Sequence, residues 1–391
     1  MKFDFDKVVD RHGTKCLKYD FAKERGRSDD MLPLWVADMD FQTAPGIQKS
    51  LSDAVAHGIY GYSEGKDDYF QAAAGWYEKH FGWKVEKEWL IKTPGVVFAL
   101  AMAVKAYTKE GDAVLLQQPV YYPFSEVITD NHRRLINSPL QQIDGHYEIN
   151  FEEFEQKIVE ENVKLFLMCS PHNPVGRVWK EWELRKIGDI CLKHNVLVVS
   201  DEIHSDFTYG ENIHHVFASL DEKYAAITTT CTAPSKTFNI AGLQISNIWI
   251  SNPELRARFR AEVTAAGYSQ VNLMGLVACQ AAYETGEEWL KELKIYLEGN
   301  LDYVRTFLKE NLPEIKLTEP EGTYLLWLDF KSLGMKEEQL KDLVENKAKL
   351  WLDSGVMFGP DGEGFERINI ACPREILKQA LTQLAESVHD R

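Results

Sequence analysis

Three short stretches of this 391-residue chain place reactive side chains at suggestive points. The first is Ser170-Pro171-His172-Asn173-Pro174-Val175-Gly176, the second Asp201-Glu202-Ile203-His204, and the third Ala233-Pro234-Ser235-Lys236-Thr237-Phe238-Asn239. Each follows an apolar or β-branched run, namely Val163–Cys169, Val196–Ser200 and Ala225–Thr230. An amide, a carboxylate and an amine are therefore expected at the carboxyl ends of consecutive strands, where open α/β sheets bind ligands. Singly, each has a plain explanation: a turn for Asn-Pro-Val-Gly, a helix N-cap for Asp201, a surface lysine for Lys236. Together, in this order, they point to a cofactor. A lysine suits nucleophile and base roles because a desolvated amine sheds its charge readily. Upstream, Thr93-Pro94-Gly95-Val96-Val97 leads into the apolar run Val96–Val104. The amides of Gly95, Val96 and Val97 then lie at a predicted helix N-terminus, where free N–H groups and the helix dipole favour an anion.

The elements that must position these groups follow the same alternation. Ala113–Leu116 and Asn247–Ile250 read as further strands, and Phe151–Glu161 and Glu181–His194 as amphipathic helices. Short apolar strands separated by helices predict an α/β fold, with a mostly parallel central sheet covered on both faces. The ends differ. Residues 1–45 are loop-rich, Glu287–Leu312 is a long helical stretch, and Gly322–Leu328, a helical Lys336–Lys347 and Phe365–Ile370 follow. The division expected is a large domain over 48–288 and a smaller one built from 1–47 and 289–391. No repeat or low-complexity linker interrupts the chain.

Composition narrows the function. Sixty acidic residues against 44 basic ones give a formal charge of −16, and no Lys/Arg cluster supplies the basic face that nucleic acid needs. The acidity is read as solubility. The first residues, Met1 to Gly13, contain no apolar core of a signal peptide, and Val96–Val104 is too short to span a bilayer. Six dispersed cysteines form no CxxC pair or disulfide framework. A cytoplasmic protein without membrane association is expected. Phosphate loops, GxGxxG, HExxH and GxSxG are absent, and the 11 histidines lack metal-ligand spacing, so no metal is expected.

At this level of detail the chain resembles the fold-type I pyridoxal-phosphate enzymes, the aspartate aminotransferase-like family. Its branch is the C–S lyase or cystathionine β-lyase one, often called the PatB/MalY type. Besides the three stretches above, the resemblance rests on Leu34-Trp35-Val36-Ala37-Asp38-Met39-Asp40-Phe41, Gly61-Tyr62-Ser63 and Arg367-Ile368-Asn369-Ile370-Ala371-Cys372-Pro373-Arg374. It covers nearly the whole chain and implies roles. Lys236 joins the aldehyde of pyridoxal 5′-phosphate and then removes the substrate Cα proton. Asp201 pairs with the pyridine nitrogen, Asn173 with the ring oxygen, and His204 belongs to the cofactor-binding set. Tyr121 is the ring-stacking aromatic, with Tyr122 the alternative. Ser235 and the amides after Pro94 hold the phosphate, and Tyr62 reaches the phosphate of a second subunit, implying a homodimer with shared sites. Arg367 receives the substrate α-carboxylate through its guanidinium fork. Backbone groups at Val36 and Ala37, with Asn173, line the substrate, and Arg374 is structural.

Two departures select the branch. Aminotransferases of the family usually carry an arginine eight residues after the lysine, where this chain has Gln244, and Asp-x-x-Tyr where it has Asp201-Glu202-Ile203-His204. Both agree with a lyase that eliminates a thiolate from Cβ of L-cystathionine or a related S-substituted cysteine, giving pyruvate and ammonia. An aminotransferase is the alternative, and a regulatory or binding protein on the same fold a more distant one.

Overall fold

A computed structural model describes residues 2–390 of the chain. A seven-stranded sheet comprises β1 (Leu90–Thr93), β2 (Ala113–Leu116), β3 (Arg134–Asn137), β4 (Val163–Cys169), β5 (Leu197–Asp201), β6 (Thr228–Thr232) and β7 (Ser246–Trp249). Their order is β1-β7-β6-β5-β4-β2-β3. The strands β2 to β6 pair in parallel, whereas β7 runs antiparallel to both β6 and β1. Val114, Leu115, Leu116, Leu165 and Phe166 have no exposed surface, because helices cover both faces. The helices Val96–Tyr107 and Pro253–Ala265 pack on one face, and Phe151–Glu160 and Glu181–Lys193 on the other. Continuous apolar strands are what a sheet buried on both sides requires.

The mostly parallel α/β sheet matches the expectation, with two corrections. The strand expected at Ala225–Thr230 begins three residues later, at Thr228. Residues Glu222–Ala225 form instead a helical turn capped by Asp221, whose side chain accepts from the Lys223 amide at 3.0 Å. The last strand of the series, β7, is reversed rather than parallel.

A second sheet is antiparallel throughout, in the order β8 (Lys316–Thr318), β9 (Leu325–Asp329), β11 (Phe365–Asn369), β10 (Asp353–Ser354). The stretch expected from Gly322 becomes strand only at Leu325. The 25-residue helix Glu287–Asn311 places Leu293, Leu297, Leu301 and Val304 on one face. That face shares a core with Leu326, Ile368 and Leu381, the last of these on the helix Arg374–His389. Truncating one such leucine to alanine costs about 2–5 kcal/mol.

The N-terminal segment lies against this second sheet. Leu32–Pro33 pairs in parallel with Leu350–Trp351, Asn369 donates its amide to the Leu34 carbonyl at 2.9 Å, and Asp40 donates to Ala371 at 3.0 Å. Residues 34–41 are thereby held where the ends of both sheets meet.

Candidate active site

Four strands of the large sheet deliver the expected groups to one cavity of about 450 Å³. From β1 the chain passes through Pro94-Gly95 into the helix Val96–Tyr107, and no side chain caps that helix. A Cβ added to Gly95 would meet nothing within 4 Å, because the cavity lies there. Beyond β4, the Asn173 carbonyl accepts from the Tyr121 amide at 3.0 Å, and its side chain accepts from Arg367 Nη1 at 3.1 Å. At the end of β5 sits Asp201, and beyond β6 Lys236 donates to the Ala37 carbonyl at 2.8 Å.

Burial sets the electrostatics. It pushes the Asp201 carboxyl up to about 7, against a single hydrogen bond from the Ile203 amide at 3.1 Å. A buried carboxyl with so little compensation calls for a cationic or N–H partner. Burial also pushes the Lys236 amine from 10.5 down to about 8, with the Arg367 charge acting in the same direction and Asp38 and Asp201 opposing. His204 is pushed down to about 3 by burial, then by Lys236 and Arg367, and its buried Nδ1 has no partner. It is a neutral ring standing edge-on to Tyr324 at 5.8 Å. Tyr121 lines the cavity 5.0 Å from Tyr122, and burial raises its hydroxyl pKa.

Arg367 is almost fully buried on β11. Its Nη2 donates to the Trp35 carbonyl at 2.8 Å and to Asp353, its register partner on β10, while its buried Nε has no partner. Asp353 is a site residue that sequence reasoning missed, and it lies in no recognisable motif. Asn369 and Asn239 were within quoted motifs, but their work was not read from them. Asn369 Nδ2 donates to the carbonyls of Val36 (2.7 Å) and Asp38 (2.6 Å). Asn239 accepts from the Met39 amide at 2.9 Å and donates to the carbonyls of Met39 and Phe41. Tyr324 adds a hydroxyl to the Ala37 carbonyl at 3.1 Å.

Of the expected residues, Ala37, Gly95, Val96, Val97, Tyr121, Asn173, Asp201, His204, Ser235 and Lys236 line the cavity, and Gln244 joins them. Arg367 and Val36 adjoin it through Asn173 and Asn369. Tyr62 is not brought to this cavity by its own chain: it is 92% exposed, on a separate cleft of about 720 Å³ that includes Lys92 and Arg260. Arg374 lies away from the cavity, donating Nε to Asn300 at 2.5 Å and its amide to the Tyr296 hydroxyl. Among the described residues no group of His, Cys, Asp or Glu could hold a metal ion.

This donor set fits pyridoxal phosphate: an amine that loses its proton near neutrality, a buried carboxyl awaiting an N–H, uncapped helix amides facing open space, and an aromatic wall. The fold and the cavity define the class, and the comparisons bear it out. The chain belongs to the class I and II aminotransferase family, whose model matches residues 30–384. It is 43% identical to the cystathionine β-lyase PatB of Bacillus subtilis, over 97% of this chain and 98% of that protein. Among solved structures, cystalysin from Treponema denticola, which contains a pyridoxal 5′-phosphate cofactor, superposes with a TM-score of 0.96 at 39% identity, covering 100% of both chains. The pyridoxal-phosphate-bound C–S lyase from Staphylococcus hominis gives 0.93 at 33% identity, covering 99% of this chain and 98% of that one. The resemblance drawn from the sequence, including its lyase branch, therefore holds.

Proposed function

We propose that the chain is a pyridoxal-phosphate-dependent C–S β-lyase. It cleaves L-cystathionine or related S-substituted L-cysteines to a thiol, pyruvate and ammonia, with one water consumed. When bound, the cofactor supplies an aldehyde for an amine and an electron sink for the pair left at Cα. The chain's own residues do the rest. Lys236 holds the cofactor and then moves the Cα proton, a role suited to an amine that titrates near 8. Asp201 would pair with the pyridine nitrogen and keep it protonated, and Tyr121 would supply the aromatic wall for the ring. The free amides of Gly95, Val96 and Val97 hold the phosphate with Ser235. Arg367, whose Nη1 donates to the Asn173 side chain at 3.1 Å, would receive the α-carboxylate and so hold the substrate at the cavity that Lys236 lines.

One observation carries the reading: Lys236, Asp201 and Arg367 converge beside a single cavity in a chain 43% identical, end to end, to a cystathionine β-lyase. The family name keeps transamination as a second reading. Against it, Gln244 stands on the cavity wall where aminotransferases usually place a cation, as the sequence comparison above indicated. The test is incubation of pure, cofactor-loaded protein with L-cystathionine. Release of pyruvate and free thiol is expected, and alanine substitution of Lys236 should abolish both turnover and the covalently held chromophore. Accumulation of the amino form of the cofactor without pyruvate would favour the aminotransferase.

The same reading includes a homodimer in which Tyr62 serves the partner's phosphate, supported by the exposure of Tyr62 together with Ile59 and Tyr60. It includes a division into a large unit over 48–288 and a small unit from 1–47 and 289–391, supported by the two separate sheets. It also includes a cytoplasmic location, supported by six free cysteines, five of them buried, and by the lack of any membrane-length apolar helix among the described residues.

A further inference from the structure

Two residues before Ala37, which lines the cavity, stands the buried Trp35. That residue has two arginines on it. Its carbonyl accepts from Arg367 Nη2 at 2.8 Å, and its ring carries the Arg25 guanidinium 5.1 Å from the centroid. The indole is held flat by Trp351, stacked 4.6 Å away at 12°. Tyr122 stands 5.0 Å from Tyr121 of the cavity wall. Burial raises the Tyr122 hydroxyl pKa, helped by the Asp353 and Glu126 charges, while Arg367 and Arg25 oppose the rise.

The backbone fixes where Arg25 stands. Its amide donates to Ala22 at 3.1 Å and to Phe21 at 3.3 Å, and Arg27 donates back to Ala22 at 2.8 Å. Gly26 closes the turn at φ +68°, the left-handed region that suits glycine. Ala22 itself packs with Trp35 and Trp351. The neighbouring cations are all paired. Lys23 meets Asp29, Arg27 meets Glu345 at 2.8 Å, and Arg11 meets Asp38 and Asp40 at 2.7 Å. The Arg25 guanidinium makes its cation–π contact with Trp35 and no hydrogen bond or ion pair to any described residue. In a chain with 60 acidic and 44 basic residues, an arginine stacked in place beside the active cavity and left without a carboxylate has its fork free for an incoming one.

From this we infer that Arg25 forms a second anion subsite, which receives the distal carboxylate of a substrate whose α-carboxylate is held by Arg367. The inference rests on the lyase reading and narrows its substrate class to S-substituted cysteines whose departing thiol bears a carboxylate of its own. L-cystathionine has that chemistry, whereas S-methyl-L-cysteine lacks it.

Arg25→Met tests the subsite, because methionine keeps an unbranched stem over Trp35 and removes the charge. For L-cystathionine, KM should rise about twofold to fivefold, the range of an exposed charge pair, with kcat nearly unchanged. For S-methyl-L-cysteine both constants should stay as in the parent. Dissociation constants read from the cofactor's absorbance should show the same contrast without turnover, and Arg25→Lys should recover part of the loss. Raising the salt concentration should weaken L-cystathionine selectively in the parent and not in the variant. Equal weakening of both ligands by Arg25→Met, or of neither, would overturn the subsite. Failure of the parent to release pyruvate from either ligand would instead overturn the lyase reading, while the binding contrast still decides for or against Arg25.

Discussion

Replacing Lys236 by methionine should make the cofactor-free protein more stable, by an amount that depends on pH. Burial holds the amine at about 8 instead of 10.5. Between those values the unfolded chain binds a proton that the folded chain does not, so folding strengthens as the pH rises through the window. Below it, the folded protein holds a charged amine in its cavity. The two affinities differ by roughly 300-fold, which corresponds to about 3 kcal/mol at neutral pH. Lys236 keeps some contact with solvent at the cavity wall, and screening reduces this to ~2 kcal/mol. At a pH of about 9.5 only some two-fifths of that cost remains, or ~1 kcal/mol. Methionine fills similar space, and the Ala37 carbonyl still accepts from Tyr324 at 3.1 Å. Urea titrations of the cofactor-stripped parent and K236M at both pH values measure the difference, with equal slopes as the control. A stability gap that does not shrink between neutral and alkaline pH would refute this account of the lysine.

Three further outcomes are expected. Asp353→Ala breaks the buried pair with Arg367 and should cost about 3 kcal/mol in a denaturant titration, part of it recovered by a saturating α-carboxylate ligand, with KM raised. In Asp201 burial raises the carboxyl from 3.8 to about 7, so the stripped parent should lose stability as the pH rises through that interval. Asp201→Asn should flatten that slope in thermal melts, and should release the cofactor faster on dialysis. If Tyr62 serves the partner's site, inactive Tyr62→Ala and Lys236→Ala chains, unfolded and refolded together, should regain about a quarter of parental activity, since half the dimers are mixed and each mixed dimer has one intact site.

The legible parts of the chain are those where one physical demand governs every residue. Ala113–Leu116 and Val163–Cys169 form strands over the same residues that the sequence indicates, because both faces of those strands are buried. Thr228–Thr232 was harder to place. Three of its hydroxyls are satisfied inside the protein, Thr228 by the Tyr224 carbonyl at 2.6 Å, Thr229 by the Tyr107 hydroxyl at 2.7 Å and Thr232 by the Asn247 carbonyl at 2.8 Å, so a buried strand has polar letters. The nearby Ala225 and Ala226 look more strand-like and are not. The reversal of β7 depends on what neighbours it, which no local pattern encodes. In the site, Asp201 was legible because it ends a strand, and Lys236 because it follows one by a short turn. Asp353 was not, because it meets Arg367 only through cross-strand register within a two-residue strand.

The hydrogen bonds around residues 35–41 also have a consequence for how the protein is made. Lys236 reaches Ala37 across 199 residues, and Arg367 reaches Trp35 across 332. Contacts of such long sequence separation form late, after the local helices and the central strands have organised. A nascent chain emerging from the ribosome can therefore build its large sheet well before it has an arginine for the substrate. On the roles proposed for Lys236 and Arg367, cofactor capture would precede assembly of the carboxylate pocket, because β11 leaves the exit tunnel almost last. A chain stalled or cleaved before residue 365 would then be a coloured, cofactor-holding species without a substrate site, and the order in which colour and turnover appear during timed synthesis would trace the assembly.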